Sequence, residues 1–345
     1  MLFSNPLPVL ARALRVLGCA ALACGGLAQA ATFTVLLAEA SVPQLDFARQ
    51  LREQQDSGSR FNMVRIDDAS RIPTEPSTMD DDRAHPDAPA SLGGVNSRGV
   101  RPALAPEAIT VAVGLRAAQI AIERPGNEPL LLAMLSRLEY ESLRSNPALQ
   151  RPGRRVGVLL RDPSMTDQLA LIAAALPQKH RLGLVVTVES EPLLDELRRA
   201  VGPASGWDLQ IGYAADAKAL AGTLRRVLPR SDVLVVLPDL IGDSQAATLA
   251  VLRAGASAGL PVFGPSEGMV RSGGLAAAVS TPAQLARQAS ALSQKLWSGA
   301  ANGASPLLVE AATPASVRVN LNVARALDLR LPDERELAER VAAAR

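Results

Sequence analysis

Residues 156–160, VGVLL, precede the helical pattern QLALIAAAL at 168–176, and a second apolar run, LGLVVTV, follows at 182–188. In both runs hydrophobic residues mostly occupy consecutive positions, which is typical of parallel strands buried on both faces of a sheet. A strand, a helix and a second strand in series predict a right-handed crossover between parallel strands. This stretch therefore predicts an α/β fold.

The same alternation continues along the chain in both directions from this stretch. Further strand-like runs lie upstream at 33–37, 61–66, 109–113 and 130–135, and downstream at 209–213, 233–237, 261–263 and 275–279. Helical patterns separate them, among others at 45–54, 193–200, 217–227, 246–254 and 284–297. Ten strands of this kind favour two five-stranded parallel sheets over one barrel, in which about eight strands and helices would repeat without interruption.

Length and composition indicate two globular domains without a nucleic-acid partner. The chain has 345 residues, of which 48% are hydrophobic and 20% charged, close to the globular average. Its 36 basic and 34 acidic residues leave a net charge of +2, and Arg12 and Arg15 in an acid-free N-terminal stretch account for the surplus. The neutral remainder lacks the excess of cations that nucleic-acid binding requires.

The N-terminus has the three parts of a secretory signal peptide. Arg12 and Arg15 precede an apolar stretch at 16–27, and Ala28-Gln29-Ala30 forms a small-x-small cleavage site. We therefore predict residues 1–30 to be a signal peptide, with export to the periplasm and cleavage after Ala30. The apolar run is shorter than the ~18 to 20 residues of a bilayer span, so no stable membrane insertion is expected after cleavage.

Both cysteines of the chain, Cys19 and Cys24, lie inside this segment. Cleavage after Ala30 would leave a mature chain without thiols, which excludes cysteine nucleophiles, thiolate metal sites and disulfides. A lipoprotein is the alternative, because Val16-Leu17-Gly18-Cys19 is similar to a lipoprotein cleavage box. Arg15 leaves little hydrophobic sequence ahead of that box, so cleavage after Ala30 is favoured.

One long interruption breaks the alternation of strands and helices, from Asp67 to Glu107. It contains six prolines, an acidic run at 80–82 and no apolar periodicity. A segment of this length without secondary structure is unusual inside a domain and is either functional or disordered. We predict that 67–107 is a mobile surface loop and not a lid over a site.

Gly264-Pro-Ser-Glu-Gly268 matches the nucleophile-elbow pattern of serine hydrolases and directly follows a strand-like run. The histidine that activates such a serine should follow it in the chain, but the two histidines, His85 and His180, both precede Ser266. A hydrolase using Ser266 is therefore a remote alternative, and we predict that the protein is not an enzyme.

The sequence has no phosphate-binding glycine motif and no typical zinc-ligand pattern, so no cofactor or metal is expected.

Polar and charged residues recur just beyond the predicted strand ends. In open parallel sheets, ligands bind outside the carboxyl ends of the strands, where helix N-termini offer free N–H donors. Two such sheets facing each other would form a cleft. The candidate ligand-binding residues, each a few positions after a predicted strand, are Glu39, Ser41, Arg116, Ser136, Arg137, Glu189, Asp239, Ser266 and Glu267. Capping of a helix N-terminus is the competing explanation for any one of them.

Several segments carry a resemblance to a known family. The stretches Val233-Leu-Val-Val-Leu-Pro-Asp239, Gly259-Leu-Pro-Val-Phe-Gly264 and Val270-Arg-Ser-Gly-Gly-Leu-Ala276 resemble the ABC-transporter substrate-binding family related to tryptophan/tyrosine-type periplasmic binding proteins. The tail at 320–332 is similar to that family's closing pattern N-x-x-x-A-x-x-L-G-L-x-[IL]-P, with Asp328 where glycine is usual. The helix at 168–177 resembles the one that crosses between the lobes in that family.

The resemblance implies a type I periplasmic binding protein fold, in which two Rossmann-like lobes with parallel sheets are joined by a hinge and close on a small ligand. Lobe 1 is expected at 31–165 plus about 265–300, lobe 2 at 166–264, and a return segment with C-terminal helices at 301–345. The implied function is capture of a solute and its delivery to the permease of an ABC importer. The alternative is a sensor that presents ligand occupancy to a membrane receptor or histidine kinase.

The resemblance also directs attention to two arginines. Where relatives often have Gly-Thr-Pro after the third strand, this chain has Gly114-Leu115-Arg116, and Arg137 lies in the loop after the fourth strand. A guanidinium group suits a carboxylate, and helix N-termini favour negative charge. Arg116 and Arg137 are therefore predicted to contact an anionic or zwitterionic solute.

Overall fold

The computed structural model describes residues 32–38, 41–55, 59–66, 108–202, 206–298 and 307–345. The predicted signal peptide, the candidate Glu39 and the interruption at 67–107 lie outside these residues. Within the described ranges, no helix is both long and apolar enough to cross a membrane.

The first lobe is built on a sheet of six parallel strands. Within the described part of the chain four helices cover it, with α1 (Val42–Glu53) and α9 (Pro282–Trp297) on one face and α2 (Leu115–Glu123) and α3 (Arg137–Arg144) on the other. In spatial order the strands are β2 (Arg60–Arg65), β1 (Thr32–Leu37), β3 (Ala108–Val113), β4 (Leu130–Leu135), β5 (Val156–Pro163) and β11 (Leu307–Ala312).

Burial on both faces explains why the strands of this lobe are continuously hydrophobic. Along β4, Leu130 and Leu132 pack in the core on the α2 and α3 side, whereas Leu131 and Ala133 pack under α1 and α9. Successive side chains of a strand point to opposite faces, so covering both faces requires apolar residues at every position.

The second lobe has a sheet of the same size, in which five strands are parallel and the last is antiparallel. The strands in spatial order are β7 (Asp208–Tyr213), β6 (Arg181–Val186), β8 (Val233–Val235), β9 (Val262–Phe263), β10 (Ala276–Val279) and β12 (Ser316–Val319). The helices on one face are α4 (Met165–Ala175), α5 (Glu191–Val201), α10 (Leu321–Ala326) and α11 (Glu334–Ala343). Those on the other face are α6 (Ala217–Val227), α7 (Gln245–Ser257) and α8 (Glu267–Arg271).

The structure confirms the ten predicted strands and adds β11 and β12, so each sheet has six strands and not five. Both added strands lie at sheet edges and contain polar residues such as Glu310 and Arg318. Edge strands are partly solvated and tolerate polar residues, and in β11 and β12 such residues interrupt the apolar run that would identify a strand.

The segment 265–300, predicted to belong to lobe 1, is divided between the lobes. Strand β10 pairs with β9 and β12 in the second sheet, whereas α9 packs on α1 in the first lobe. The boundary therefore falls between Val279 and Pro282. Local hydrophobicity is similar on both sides of this point, so only strand pairing locates it.

Three crossings between the sheets lie within the described residues: from β5 to α4, from β10 to α9, and from β11 to β12. Side-chain hydrogen bonds join the crossings to each other. Gln288 of α9 donates to Ala311 O at 3.0 Å and accepts from Thr313 N at 2.7 Å, and Gln168 of α4 donates to Ala278 O at 3.2 Å. These bonds make the crossings one connected hinge region.

Candidate functional site

Loops from the two lobes meet at the crossover from β5 to α4. Arg161, near the end of β5, lies 3.8 Å from Glu139 of α3 in the first lobe and 3.9 Å from Asp243 in the second. Its neighbour Asp162 lines a small cavity together with Pro238 and Gly264 of the second lobe. The carboxyl ends of strands from both sheets thus border one cleft, and the crossover forms its floor.

Arg161 has carboxylates on three sides but makes no hydrogen bond to any described residue. Its guanidinium nitrogens lie 3.8 Å from Glu139 Oε2, 3.8 Å from Asp162 Oδ2 and 3.9 Å from Asp243 Oδ2. These distances suit ion pairs and are too long for hydrogen bonds. The side chain is 37% exposed, so part of it is accessible to solvent.

Asp162 holds a carboxylate oxygen, Oδ2, that is buried and has no hydrogen-bond partner among the described residues. Its side chain is 18% exposed. Burial raises the pKa of this carboxyl to about 6; Arg161 opposes the shift, and Asp243, Glu139 and Glu196 add to it. A buried acceptor without a donor is costly, so a ligand N–H or O–H placed here would form a favourable bond.

On the first lobe, polar groups lie close together beyond the ends of β1 and β3. These strands are adjacent, and the chain leaves them towards opposite edges of the sheet, which marks the usual ligand-binding crevice of such sheets. Gly114, at the start of α2, has φ +82°, and a Cβ there would come within 2.6 Å of Gln44 Nε2. The amide oxygen of Gln44 is buried and has no partner within the described structure.

The two arginines predicted to bind an anion have different surroundings. Arg116 is exposed in the first turn of α2 and makes no ion pair or hydrogen bond with the described residues. Arg137 donates from Nε to Glu196 Oε2 at 3.0 Å, and its Nη2 lies 2.9 Å from the same oxygen. Arg116 is therefore open to a ligand, whereas Arg137 bridges the lobes.

Two of the candidate serines cap helices. Ser136 Oγ accepts from Glu139 N at 3.1 Å at the start of α3, and Ser266 Oγ accepts from Met269 N at 3.2 Å at the start of α8. Ser41 precedes α1, is exposed and makes no side-chain capping bond. The capping explanation thus accounts for Ser136 and Ser266, while Ser41 is accessible from solvent.

Asp239 is 1% exposed, and both of its carboxylate oxygens bond the protein itself. Oδ2 accepts from Ser190 Oγ, and Oδ1 accepts from the backbone N–H groups of Ile241 and Gly242. Desolvation raises the pKa of Asp239, and these hydrogen bonds oppose the shift. Asp239 thereby shapes the loop after β8, in which Asp243 N also bonds Asp239 O at 2.8 Å. Its contact with a ligand stays a prediction.

The two candidate glutamates are exposed and bonded within the second lobe. Glu189 accepts from its own backbone N–H and from Thr187, and these bonds lower its pKa. Glu267 forms ion pairs with Arg271 at 3.4 Å and with Arg318 at 3.7 Å. Their contact with a ligand stays a prediction.

The charged residues of the cleft floor were missing from the predicted set. Arg161 and Asp162 follow the run at 156–160, so the rule that selected the other candidates would have found them. Asp243 lies within a longer loop, and only folding brings it beside Arg161.

The sequence and the fold both match a known family. The profile described as ABC transporter substrate binding protein matches residues 106–340, which is more than half of the chain. The chain belongs to this family. It is accordingly a solute-binding protein that serves an ABC importer, as the resemblance in the sequence implied. No curated protein matches the sequence.

Solved structures show the same fold at low identity. The ligand-free, open structure of CD0873, a substrate binding protein with adhesive properties from Clostridium difficile, has 16% identity and a TM-score of 0.58, covering 88% of this chain and 96% of that chain. The ABC domain in complex with L-Trp from Streptococcus pneumoniae has 16% identity and a TM-score of 0.50 over the same shares. A conserved domain protein from Vibrio cholerae has 19% identity and a TM-score of 0.49, covering 90% and 98%. The first two structures confirm the predicted type I periplasmic binding protein fold.

Proposed function

We propose that this solute-binding protein captures a small zwitterionic or anionic solute in the cleft between its lobes, outside the cytoplasm, and anchors the solute's carboxylate on Arg161. The observation that carries this proposal is that the guanidinium of Arg161 has no hydrogen-bond partner among the described residues. Its guanidinium lies at the lobe junction without a hydrogen bond to the described residues, and carboxylates from both lobes lie within 3.9 Å of it.

A ligand carboxylate would form the bonds that Arg161 lacks. A guanidinium presents parallel N–H donors that match the two oxygens of a carboxylate, and such charge-assisted hydrogen bonds are stronger than bonds between neutral groups. Arg116, exposed at the start of α2, is the second candidate anchor on the first lobe.

A positively charged group on the same solute would complement the remaining charges. Asp162 and Asp243 both lie beside Arg161, and Asp162 Oδ2 has no donor among the described residues. An ammonium group bonded there would offset the cost of keeping that oxygen buried. Carboxylate and ammonium groups on one small molecule describe a zwitterion, and the L-Trp bound to the Streptococcus pneumoniae relative belongs to this chemical class.

Exposed aliphatic side chains beside the cleft would suit an apolar part of the solute. Val42, Val188 and Leu240 are all exposed, and they follow β1, β6 and β8 at the ends that point to the cleft. Closure of lobes on a ligand removes such surfaces from water. Only 3% of the chain is aromatic, so aliphatic contact is favoured over ring stacking.

Binding without catalysis is part of the proposal. The oxygen of Ser266 accepts a backbone hydrogen bond at the start of α8, and no histidine follows this serine in the chain. The family's role in transport and the predicted signal peptide support a location outside the cytoplasm.

The test starts from protein purified from the periplasmic fraction. Mass spectrometry of small molecules released on denaturation identifies the solute, and calorimetry with that solute measures its affinity for wild type, R161M and R116M. We expect R161M to weaken binding by about tenfold or more, the effect of losing a hydrogen bond to a charged group. R116M tests the second candidate anchor, and R49M, measured in the same way, is the matched control, because Arg49 is an exposed arginine that pairs with Asp46 of its own helix. Unchanged affinity in R161M would remove Arg161 from the site.

A further inference from the structure

Arg137 and Glu196 connect the two lobes through an ion pair beside the hinge. Arg137 is the first residue of α3 in the first lobe, and Glu196 lies within α5 of the second. The side chains are only 22% and 16% exposed. An ion pair at this depth is screened less than a surface pair, and removing one partner leaves the other charge poorly solvated.

Glu196 also forms a hydrogen bond with the crossover from β5 to α4. Its second oxygen, Oε1, accepts a hydrogen bond at 3.0 Å from Met165 N, the first residue of α4. One carboxylate therefore joins three parts of the molecule: the first lobe through Arg137, the crossover helix through Met165, and the second lobe through its own helix. A cavity of about 10 Å³ borders these three residues, so little free space surrounds the pair.

Local structure fixes the backbone that carries Arg137. Ser136 and Glu139 form a capping box at the start of α3. Just before it, the register of β4 against β5 shifts between Ala133 and Leu135, and Met134 has φ +62°. A bulge redirects the residues that follow it, and a left-handed non-glycine residue persists only where the surroundings determine its conformation. Arg137 is thus held towards the second lobe before it meets Glu196.

We propose that Glu196 is a positioning residue. Together with Arg137 it restricts the orientations that the two lobes can take relative to each other about the hinge. Because Glu196 is attached to the crossover, the pair stays formed as the lobes open and close. It restricts the empty protein to orientations that can close on a solute, and so raises the binding-competent fraction. The consequence for solute capture rests on the proposed function, whereas the restriction of lobe orientation does not.

The primary test measures lobe orientation in the absence of solute. Both cysteines of the chain lie in the predicted signal peptide, so Q119C and A221C introduce unique labelling sites in the mature protein. Gln119 is exposed on α2 of the first lobe, and Ala221 is exposed on α6 of the second. Pulsed electron spin resonance then gives the distribution of distances between the lobes.

Three variants separate positioning from other roles. E196Q keeps a carbonyl oxygen that can accept from Met165 N but loses the charge that pairs with Arg137. R137M removes the cation and keeps an unbranched side chain. E310Q is the matched control, because Glu310 pairs with Lys295 at 2.8 Å entirely within the first lobe.

We expect a single narrow distribution for wild type and E310Q, and a broader, shifted distribution for both E196Q and R137M. The double variant should broaden no further than either single variant, since both remove the same interaction. Affinity for the solute released from the purified protein should fall about tenfold in both single variants, as expected if the competent fraction falls to about a tenth.

Two results would overturn the proposal. An unchanged distribution in E196Q would mean that Glu196 only caps α4, because the glutamine retains that bond. A loss of affinity in R137M with no change of distribution in either variant would instead make Arg137 a direct ligand contact, as predicted from the sequence. Failure of the proposed function is a separate outcome, seen as binding that R161M leaves unchanged while E196Q still broadens the distribution.

Discussion

Asp162 combines a buried carboxylate oxygen without a hydrogen bond and a pKa raised to about 6. The ordinary value for this group is 3.8, so between these two pH values the folded protein binds more protons than the unfolded chain. Stability is therefore lost as the pH rises through this window. Above pH 6 the full cost of the buried charge is present.

We predict that D162N stabilises the protein at pH 7.5 by up to roughly 3 kcal/mol, the free energy equivalent of the pKa shift. The gain should shrink as the pH falls and be small at pH 4, close to the ordinary pKa of 3.8, because below that value the wild-type carboxyl is mostly protonated in both states. Urea unfolding at pH 7.5 and pH 4 measures this, with the exposed Glu267 changed to Gln as the control. An equal gain at both pH values would show that charge is not the cause.

Other residues differ in how much of their role can be recognised from neighbouring positions in the sequence. The capping box of Ser136 and Glu139 is visible in the sequence, because a serine and a glutamate three positions apart bond each other's backbone N–H groups. Arg154 shows the opposite case. It is 1% exposed and donates to the carbonyls of Ala121 and Ile122 at the end of α2, both at 3.0 Å, yet nothing in its neighbourhood in the sequence indicates burial.

At the scale of one element, the end of α10 explains an unusual residue in the family pattern. Asp328 stands at the glycine position of the closing pattern that the tail resembles, and it has φ +52°. Leu329 N bonds Ala324 O at 2.9 Å and Asp328 N bonds Arg325 O at 3.1 Å, which together form a Schellman motif. This motif needs a left-handed residue at that position, and glycine adopts the conformation without steric cost.

We predict that D328G raises the free energy of unfolding by about 0.5–1 kcal/mol, because relief of the left-handed strain exceeds the entropy that glycine adds to the unfolded chain. D328A should lower stability, since alanine has neither glycine's freedom nor aspartate's tolerance of this conformation. Chemical denaturation of the three proteins decides the ranking. A D328G protein less stable than wild type would mean that the aspartate side chain contributes more than the strain costs.

At the scale of the whole molecule, cleavage of the predicted signal peptide determines which residues the mature protein contains. We predict that the protein isolated from the periplasmic fraction begins at Ala31 and contains no cysteine, because Ala28-Gln29-Ala30 follows an apolar run. N-terminal sequencing and intact mass measure this. A lipid-modified N-terminus at Cys19 would contradict the prediction and identify a membrane-anchored lipoprotein, and C19S, which leaves the Ala30 site intact, is the control variant.

The α/β class, ten of the strands, several helix starts and the family followed from the sequence by itself. Each depends on neighbours in the chain: consecutive apolar residues produce strands buried on both faces, and side chains cap the backbone a few positions away. Edge strands β11 and β12 escaped this reasoning, because pairing on one side does not demand an apolar run.

Only the tertiary structure decided which polar residues meet, and therefore the candidate site. Asp239 and Arg137 satisfied the same sequence rule as Arg116, yet Asp239 bonds its own loop and Arg137 bonds Glu196, which lies in a different lobe. Arg161 lies at the cleft floor beside Glu139 and Asp243, and both of these residues are distant from it in the chain. A side chain's availability to a ligand depends on whether its charge and hydrogen bonds are already satisfied, and long-range packing settles that.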